Sequence, residues 1–244
     1  MRTLRFYVSD ELVVGNEIEV PGDTARHMRS VLRLSVNDCV QLFNGDGKEY
    51  ICRIANIDKK VTRLEIISSS SVDRESGLNI SLLQGVSRSD RMDFTIQKAV
   101  ELGVNQIWPV YSERSQIQFQ SSRLEKKLNH WRGVVSSACE QSGRNHIPQI
   151  FEPNSLLDTL KSHSESTANK IIFTPDSQDR LLSAEFLSLD FRLLIGPEGG
   201  FSENELQLAK SYGFVAMGLG PRVLRTETAA IASISIIQSK LGDI

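Results

Sequence analysis

The chain is predicted to be an α/β protein in two parts: a small, mostly β amino-terminal barrel over residues 1–72 and a carboxy-terminal domain over 73–244 built on a mostly parallel sheet. Three observations predict this. Up to about residue 70, short alternating apolar runs are broken by Gly, Pro and Asn-Gly turns, the pattern of strands and hairpins. Ser68-Ser-Ser-Ser-Val-Asp-Arg-Glu-Ser-Gly77 then offers no apolar face and reads as a linker. Beyond it, apolar runs alternate with helical periodicity, as in a parallel sheet covered by helices on both faces.

In the first part the predicted strands are Glu17-Ile-Glu-Val, Cys39-Val-Gln-Leu-Phe, Tyr50-Ile-Cys-Arg-Ile and Val61-Thr-Arg-Leu-Glu-Ile-Ile, and Asn44-Gly-Asp-Gly47 favours a hairpin. One helical piece interrupts them. It opens near Thr24, with Met28, Val31 and Leu32 on one face and Arg26, Arg29 and Arg33 recurring as a separate stripe. By itself such a stripe reads as a solvated helix face.

The second part opens with a strand at Leu78-Asn-Ile-Ser-Leu-Leu. A helix from Asp90 to Leu102 follows, with Phe94, Ile96, Ala99 and Val100 inward and Gly103 as its stop. Asp90 and Asp93 read as capping residues. Next come a strand at Gln106-Ile-Trp-Pro-Val, a helix from about Ser122 to Gln141, a short helix after Asn154-Ser155 and a strand at Lys170-Ile-Ile-Phe-Thr. The last helix, from about Glu227 to Leu241, has apolar residues around nearly its whole circumference, including Ala230, Ile231, Ala232, Ile234, Ile236 and Ile237. A single core-facing stripe does not account for them, so a second burying surface is expected.

Composition narrows the function. Lys and Arg number 28 against 30 Asp and Glu, for a formal charge of −2, which argues against coating nucleic acid by bulk charge; any RNA site must be local. Three separated cysteines, without a Cys-x-x-Cys pair, suggest neither a zinc knuckle nor a disulfide framework. Four scattered histidines add no metal-ligand spacing, and no Gly-x-Ser-x-Gly elbow is present. No apolar run approaches the ~18 residues of a membrane span, and Met1-Arg-Thr-Leu-Arg lacks a signal-peptide run, so a cytoplasmic location is expected.

Two glycine turns carry the functional signal. Leu194-Ile-Gly-Pro-Glu-Gly-Gly-Phe-Ser202 and Val215-Ala-Met-Gly-Leu-Gly-Pro221 each join an apolar run to a helix signal, and Ser202 with Glu205 forms a capping box. In an open α/β sheet, ligands lie beyond the carboxyl ends of strands, where both turns fall. Neither turn is a Gly-x-Gly-x-x-Gly or phosphate-loop motif. A ligand without a triphosphate fits better. An anion at the Ser202 helix start remains an alternative.

With the continuation Arg222-Val-Leu-Arg-Thr-Glu-Thr-Ala229, these turns resemble the SPOUT superfamily of S-adenosylmethionine-dependent RNA methyltransferases. Within it they are similar to the RsmE type, which methylates N3 of a uridine in small-subunit ribosomal RNA. Asn44-Gly-Asp-Gly47, Ile96-Gln-Lys-Ala-Val-Glu-Leu-Gly103 and Glu140-Gln-Ser-Gly-Arg144 extend the resemblance over nearly the whole chain.

The resemblance implies a PUA-like RNA-binding barrel, a trefoil knot near the carboxy terminus, a homodimer, and ribosomal RNA, within the small subunit, as partner. It implies S-adenosylmethionine as cofactor, held by Thr174, Ile195, Gly196, Gly199, Leu219, Gly220 and Leu224, with no metal. Arg225 is the candidate for stabilising the uridine anion. Glu227 is the candidate for accepting its proton or orienting Arg225, and Arg144 for holding a phosphate or the target base. Arg2, Arg5, Arg26, Arg29 and Arg33 are candidate phosphate contacts.

Structural readings stand beside these. Glu198 suits the dipole of the following helix, Thr226 suits a cap, and Arg225 suits a pair with Glu227. Ribose 2′-O-methylation and a catalytically inactive RNA-binding relative are the alternative functions.

Overall fold

The computed structural model describes residues 4–58, 61–115, 119 and 121–244. They form two compact units, residues 1–75 with 136–147, and residues 76–135 with 148–244.

The first unit is a curled five-stranded sheet of β1 (Arg5–Tyr7), β2 (Glu17–Pro21), β3 (Cys39–Phe43), β4 (Lys48–Ile57) and β5 (Val61–Ser71), in the order β1-β3-β4-β5-β2. All pairings are antiparallel except β1 with β3. Gly45 and Gly47, at φ 96° and 84°, make the predicted β3–β4 hairpin possible, since both sit in the left-handed region. Irregularities at Ile51/Cys52 and Ile54/Asn56 bend the long β4–β5 pair, as extra residues in a ladder do. The concave face buries Val40, Leu42, Cys52, Ile54, Leu64 and Ile66 around Met28.

Two expectations are corrected here. Ser68–Ser71 is the end of β5, paired with residues 48–51, and not linker: backbone pairing holds these serines although their side chains bury nothing. The helical piece is α1 (Gly22–Arg26) followed by a π turn, His27–Val31, closed by Leu32 N–H donating to His27 O at 3.0 Å. The wider turn breaks the 3.6 period, so Met28 is buried while Val31 is 65% exposed and Leu32 packs instead.

The second unit contains β6 (Asn79–Gly85), α2 (Ser89–Glu101), β7 (Gln106–Tyr111), α3 (Ser121–Ser142), β8 (Gln149–Ile150), β9 (Asn154–Ser155) and α4 (Leu156–Ser162). It continues with β10 (Asn169–Phe173), a 3-10 turn at Leu181–Ser183, β11 (Asp190–Ile195), α5 (Glu203–Ser211), β12 (Val215–Met217) and α6 (Thr226–Leu241). From Ser136 onward, α3 counts with the first unit. The sheet order is β12-β10-β11-β6-β7-β8 with β9 also on β7, and every pairing is parallel.

Central strands covered on both faces are apolar nearly throughout, as Ile80, Leu82 and Leu83 of β6 and Phe191, Leu193 and Leu194 of β11 are. One face packs Leu83, Ile172 and Leu194 against Leu156, Leu160 and Ala209 of α4 and α5. The other carries α2 and α6, which bury Met92, Ile96, Val100, Ala230, Ile234 and Ile237. On α6, Ile231, Ala232 and Ile236 are only half-buried within the chain, leaving part of the expected second apolar surface uncovered.

Gly103, at φ 85°, ends α2 as predicted. Phe94, expected inside, is 45% exposed, and Met92 takes the inward position. Asp93 is not a cap; it accepts from Lys127, His130 and Trp131 of α3 and ties the two helices together.

The first unit also encloses charge. Glu49, with its side chain one-tenth exposed, accepts from Arg5 at 2.6 Å and from Arg74. Burial works to raise its carboxyl, and the Arg74 and Arg5 guanidiniums outweigh burial and hold it below the usual carboxylate range. Because the folded value lies below the unfolded one, this stabilisation is present above the unfolded value of 4.5 and is lost as pH falls through the lowered folded value. Glu49→Gln is expected to cost about 3 kcal/mol at neutral pH, since two guanidiniums lose their carboxylate. Urea unfolding followed by circular dichroism should show wild type and variant converging as pH falls below about 4.

Candidate active site

Because the strands of the second unit are parallel, the loops after β10, β11 and β12 leave from the same edge. They enclose a cleft of about 670 Å³, within the range of small-molecule sites. Thr174, Ile195, Gly196, Gly199, Leu219, Gly220 and Leu224 all line it, together with Arg225. Sequence spacing had brought these residues together only through a resemblance; the sheet topology does so physically.

The turn after β11 is held by Gly200 N–H donating to Pro197 O at 2.9 Å, with Gly200 at φ 67°. Gly199 is closely covered: a Cβ there would lie 3.0 Å from Arg114 Cβ, so Arg114 would have to shift to admit one. Gly85, at the end of β6, is tighter still, since its added Cβ would meet Pro197 N at 2.4 Å. Sequence reasoning passed over Gly85, although a glycine closing an apolar strand is the signal of a close backbone approach. Beyond the turn, Ser202 and Glu205 form the predicted capping box on α5. Glu205 Oε2 accepts from Ser202 N–H at 2.9 Å, and Oε1 accepts from Glu113 N–H of the β7–α3 loop at 2.8 Å.

The segment after β12 is bonded on two sides. Gly218 N–H donates to Asp179 O and Gly218 O accepts from Leu181 N–H, at 2.7 and 3.2 Å. Farther on, Thr226 Oγ1 donates to Gly196 O at 2.6 Å and accepts from Gln84 Nε2 at 2.8 Å. Thr226 therefore joins β6, the glycine turn and α6, and does not cap the helix; the N-cap position belongs to Arg225, which makes no side-chain capping bond.

Glu198 corrects another expectation. Its carboxylate turns to the start of α2, accepting from Arg88 N–H and from Arg91, both at 3.1 Å, and not to α5. The dipole argument applies to a different helix.

Arg225 is exposed on the cleft wall, and among the described residues it forms no ion pair with Glu227. Glu227, on the first turn of α6, is half-buried with an Oε2 that has no protein partner, and it does not line the cleft. Arg91, Arg114 and Arg222, which sequence reasoning did not select, join Arg225 there, with Asp176 and Glu203 also in the wall. Arg91 on α2 and Arg114 after β7 are more than 100 positions from Arg225, so no local motif announces them, whereas Arg222 stands three residues from Arg225 in the same motif.

Two predicted arginines have structural partners in the first unit. Arg144 is buried at 4% exposure and forks onto Glu75 through Nε and Nη2. Arg5 donates to Glu49, Asn145 Oδ1 and Arg144 O, and lies over the Phe43 ring at 4.7 Å. Arg26 pairs with Asp23, Arg29 donates to Asp58 O, and Arg33 is exposed at φ 55°. Arg2 lies outside the described residues.

Among the described residues, no cluster of His, Cys, Asp and Glu is placed to hold a metal ion. In the same set no helix is long and apolar enough to cross a membrane.

Known proteins share this organisation. Residues 74–238 match the family model of the RNA methyltransferase domain, and residues 20–66 that of the RNA methyltransferase PUA domain. The ribosomal RNA small subunit methyltransferase E of Buchnera aphidicola subsp. Schizaphis graminum is 37% identical, with 100% of this chain and 98% of the relative aligned. The enzyme of the same name from Neisseria gonorrhoeae, solved bound to S-adenosyl methionine, is 40% identical with a TM-score of 0.92, and both chains are covered completely. A Legionella pneumophila protein solved with the bound cofactor SAM is 38% identical with a TM-score of 0.95, again over the full length of both. The glycine-turn cleft, the parallel sheet that supports it and full-length matches at this identity together place the chain in the RNA methyltransferase family that carries a PUA domain.

Proposed function

We propose that this protein transfers a methyl group from S-adenosylmethionine to N3 of a uridine in small-subunit ribosomal RNA, acting in the cytoplasm as a homodimer. The observation that carries the reading is the cleft itself. One part of its wall is bare glycine backbone and apolar side chains, with Leu219 and Leu224 beside Gly196 and Gly199, set next to the charged groups named above, and neither nucleotide fingerprint is present. Such walls fit an adenosine held by backbone groups and apolar contact. Full-length relatives named for ribosomal RNA methylation, one of them solved with this cofactor, support the substrate class. The half-buried Ile231, Ala232 and Ile236 of α6 support a second copy as the missing cover.

When bound, S-adenosylmethionine supplies an electrophilic methyl group on a sulfonium. The chain's task is to place uridine N3 in line with that methyl and to manage the N3 proton. Arg225 carries an exposed guanidinium on the cleft wall and stabilises the anion that develops across N3 and its flanking carbonyls. Glu227, two residues on, stands outside the cleft wall with a carboxylate oxygen that has no protein partner, and is the candidate acceptor for the proton by way of a bridging water. Arg144 and Arg5 act as internal anchors of the first unit, and Arg26, Arg29 and Arg33 are the arginines proposed to meet RNA phosphates there.

Calorimetric titration is expected to give saturable binding of S-adenosylmethionine and none of ATP or NAD; the reverse would overturn the assignment. Nucleoside mass spectrometry of treated small subunits should yield uridine methylated on the base, and a ribose-methylated product would replace this reading. Arg225→Ala should lower turnover by roughly 10²–10³-fold with cofactor affinity retained. Thr226→Val, which leaves Gly196 O and Gln84 Nε2 without their shared partner, should lower stability by about 1–3 kcal/mol and weaken S-adenosylmethionine binding in the same titration.

A further inference from the structure

The β7–α3 loop is fastened at two points, one on α5 and one on the glycine turn after β11. Ser112 and Ser115 close a tight turn, with Ser112 N–H donating to Ser115 Oγ and Ser115 N–H to Ser112 O, each at 3.0 Å. Between them, Glu113 N–H donates to the buried Glu205 carboxylate at 2.8 Å. That bond alone anchors the loop to the start of α5.

Arg114 adds a second link of a different kind. Its Nη1 donates to Gly199 O at 3.0 Å, and its stem lies so close over Gly199 that any side chain there would press on it. A guanidinium has five N–H donors, and this bond takes one. Among the described residues Arg114 has no carboxylate partner, whereas Arg91 on the same cleft wall is paired with Glu198. Arg114 is thus an exposed cation held at its tip, with most of its donor fork unassigned. Holding a guanidinium in place reduces the side-chain freedom it loses when it binds an anion.

We propose that Arg114 contacts a phosphate of the RNA substrate, and that its tether to Gly199 links RNA binding to cofactor binding. This rests on the proposed reading of the cleft as the S-adenosylmethionine site. A phosphate that engages the fork also fixes the Gly199 carbonyl, and with it the turn forming the cofactor wall. By linkage, RNA then tightens the cofactor, and the cofactor tightens RNA by the same factor.

Arg114→Gln tests this, with Lys161→Gln on α4, away from the cleft, as the control for simple loss of charge. Binding to small ribosomal subunits from cells lacking this protein is followed between about 50 and 200 mM salt. The logarithmic salt slope should fall by about one for Arg114→Gln and stay unchanged for Lys161→Gln. The S-adenosylmethionine affinity of each protein without RNA is its own baseline, and the effect of subunits is read as the ratio to that baseline. With subunits present, wild type should tighten its cofactor about fivefold or more, and Arg114→Gln should not.

An unchanged salt slope would reduce Arg114 to a loop brace and overturn the proposal. A loss of cofactor affinity that is equal with and without RNA would assign the guanidinium to the cofactor, and would also overturn it. Failure of the wild type to bind S-adenosylmethionine at all would instead strike the underlying reading of the cleft.

Discussion

Close backbone approach at one edge of the parallel sheet is the constraint on which the cleft depends. Gly85 ends β6 with no Cβ because the backbone of Pro197 occupies that space. Thr226 then bonds both the carbonyl of Gly196 and the amide of Gln84, so the start of α6, the glycine turn and the central strand form one unit. The part of the cleft wall made by this backbone is held in place by those contacts, since backbone dipoles cannot swing away as side chains do. The tight turns and the buried hydrogen bonds serve the same end.

Charge is distributed with similar economy. The chain as a whole is close to neutral, so attraction to RNA has to come from local groups. In the first unit, Arg5, Arg74 and Arg144 face Glu49 and Glu75 and help to hold the fold together. In the second, the cleft wall carries four arginines, of which Arg91 is paired with Glu198. Arg114, Arg222 and Arg225 have no carboxylate partner among the described residues, in contrast to the three arginines that face Glu49 and Glu75.

The order of the chain was largely legible from its pattern. Alternation marked β3, β4 and β5, helical periodicity with a glycine stop marked α2, and Ser202 with Glu205 marked the start of α5. Errors arose where a local rule met a tertiary demand. The π turn at His27–Val31 rotated Val31 outward, sheet pairing drew the serines after Ile67 into β5, and Asp93 left its expected capping role to bind α3.

The glycine turns marked one edge of the sheet, because turns at the ends of parallel strands share an edge, and the family resemblance singled out residues there that line the cleft. Neither determined which arginines are free and which are paired. Arg144 and Glu75 are 69 positions apart, and Arg114 and Gly199 are 85 apart. No local periodicity records a contact made across such distances. The sequence by itself determined the two-part α/β plan, the glycine turns and the chemistry those turns exclude. Only the tertiary structure decided that Thr226 ties the helix to the turn, that Gly85 makes room for it, and that Arg114 is fastened to Gly199, because those contacts exist only once distant segments are packed together.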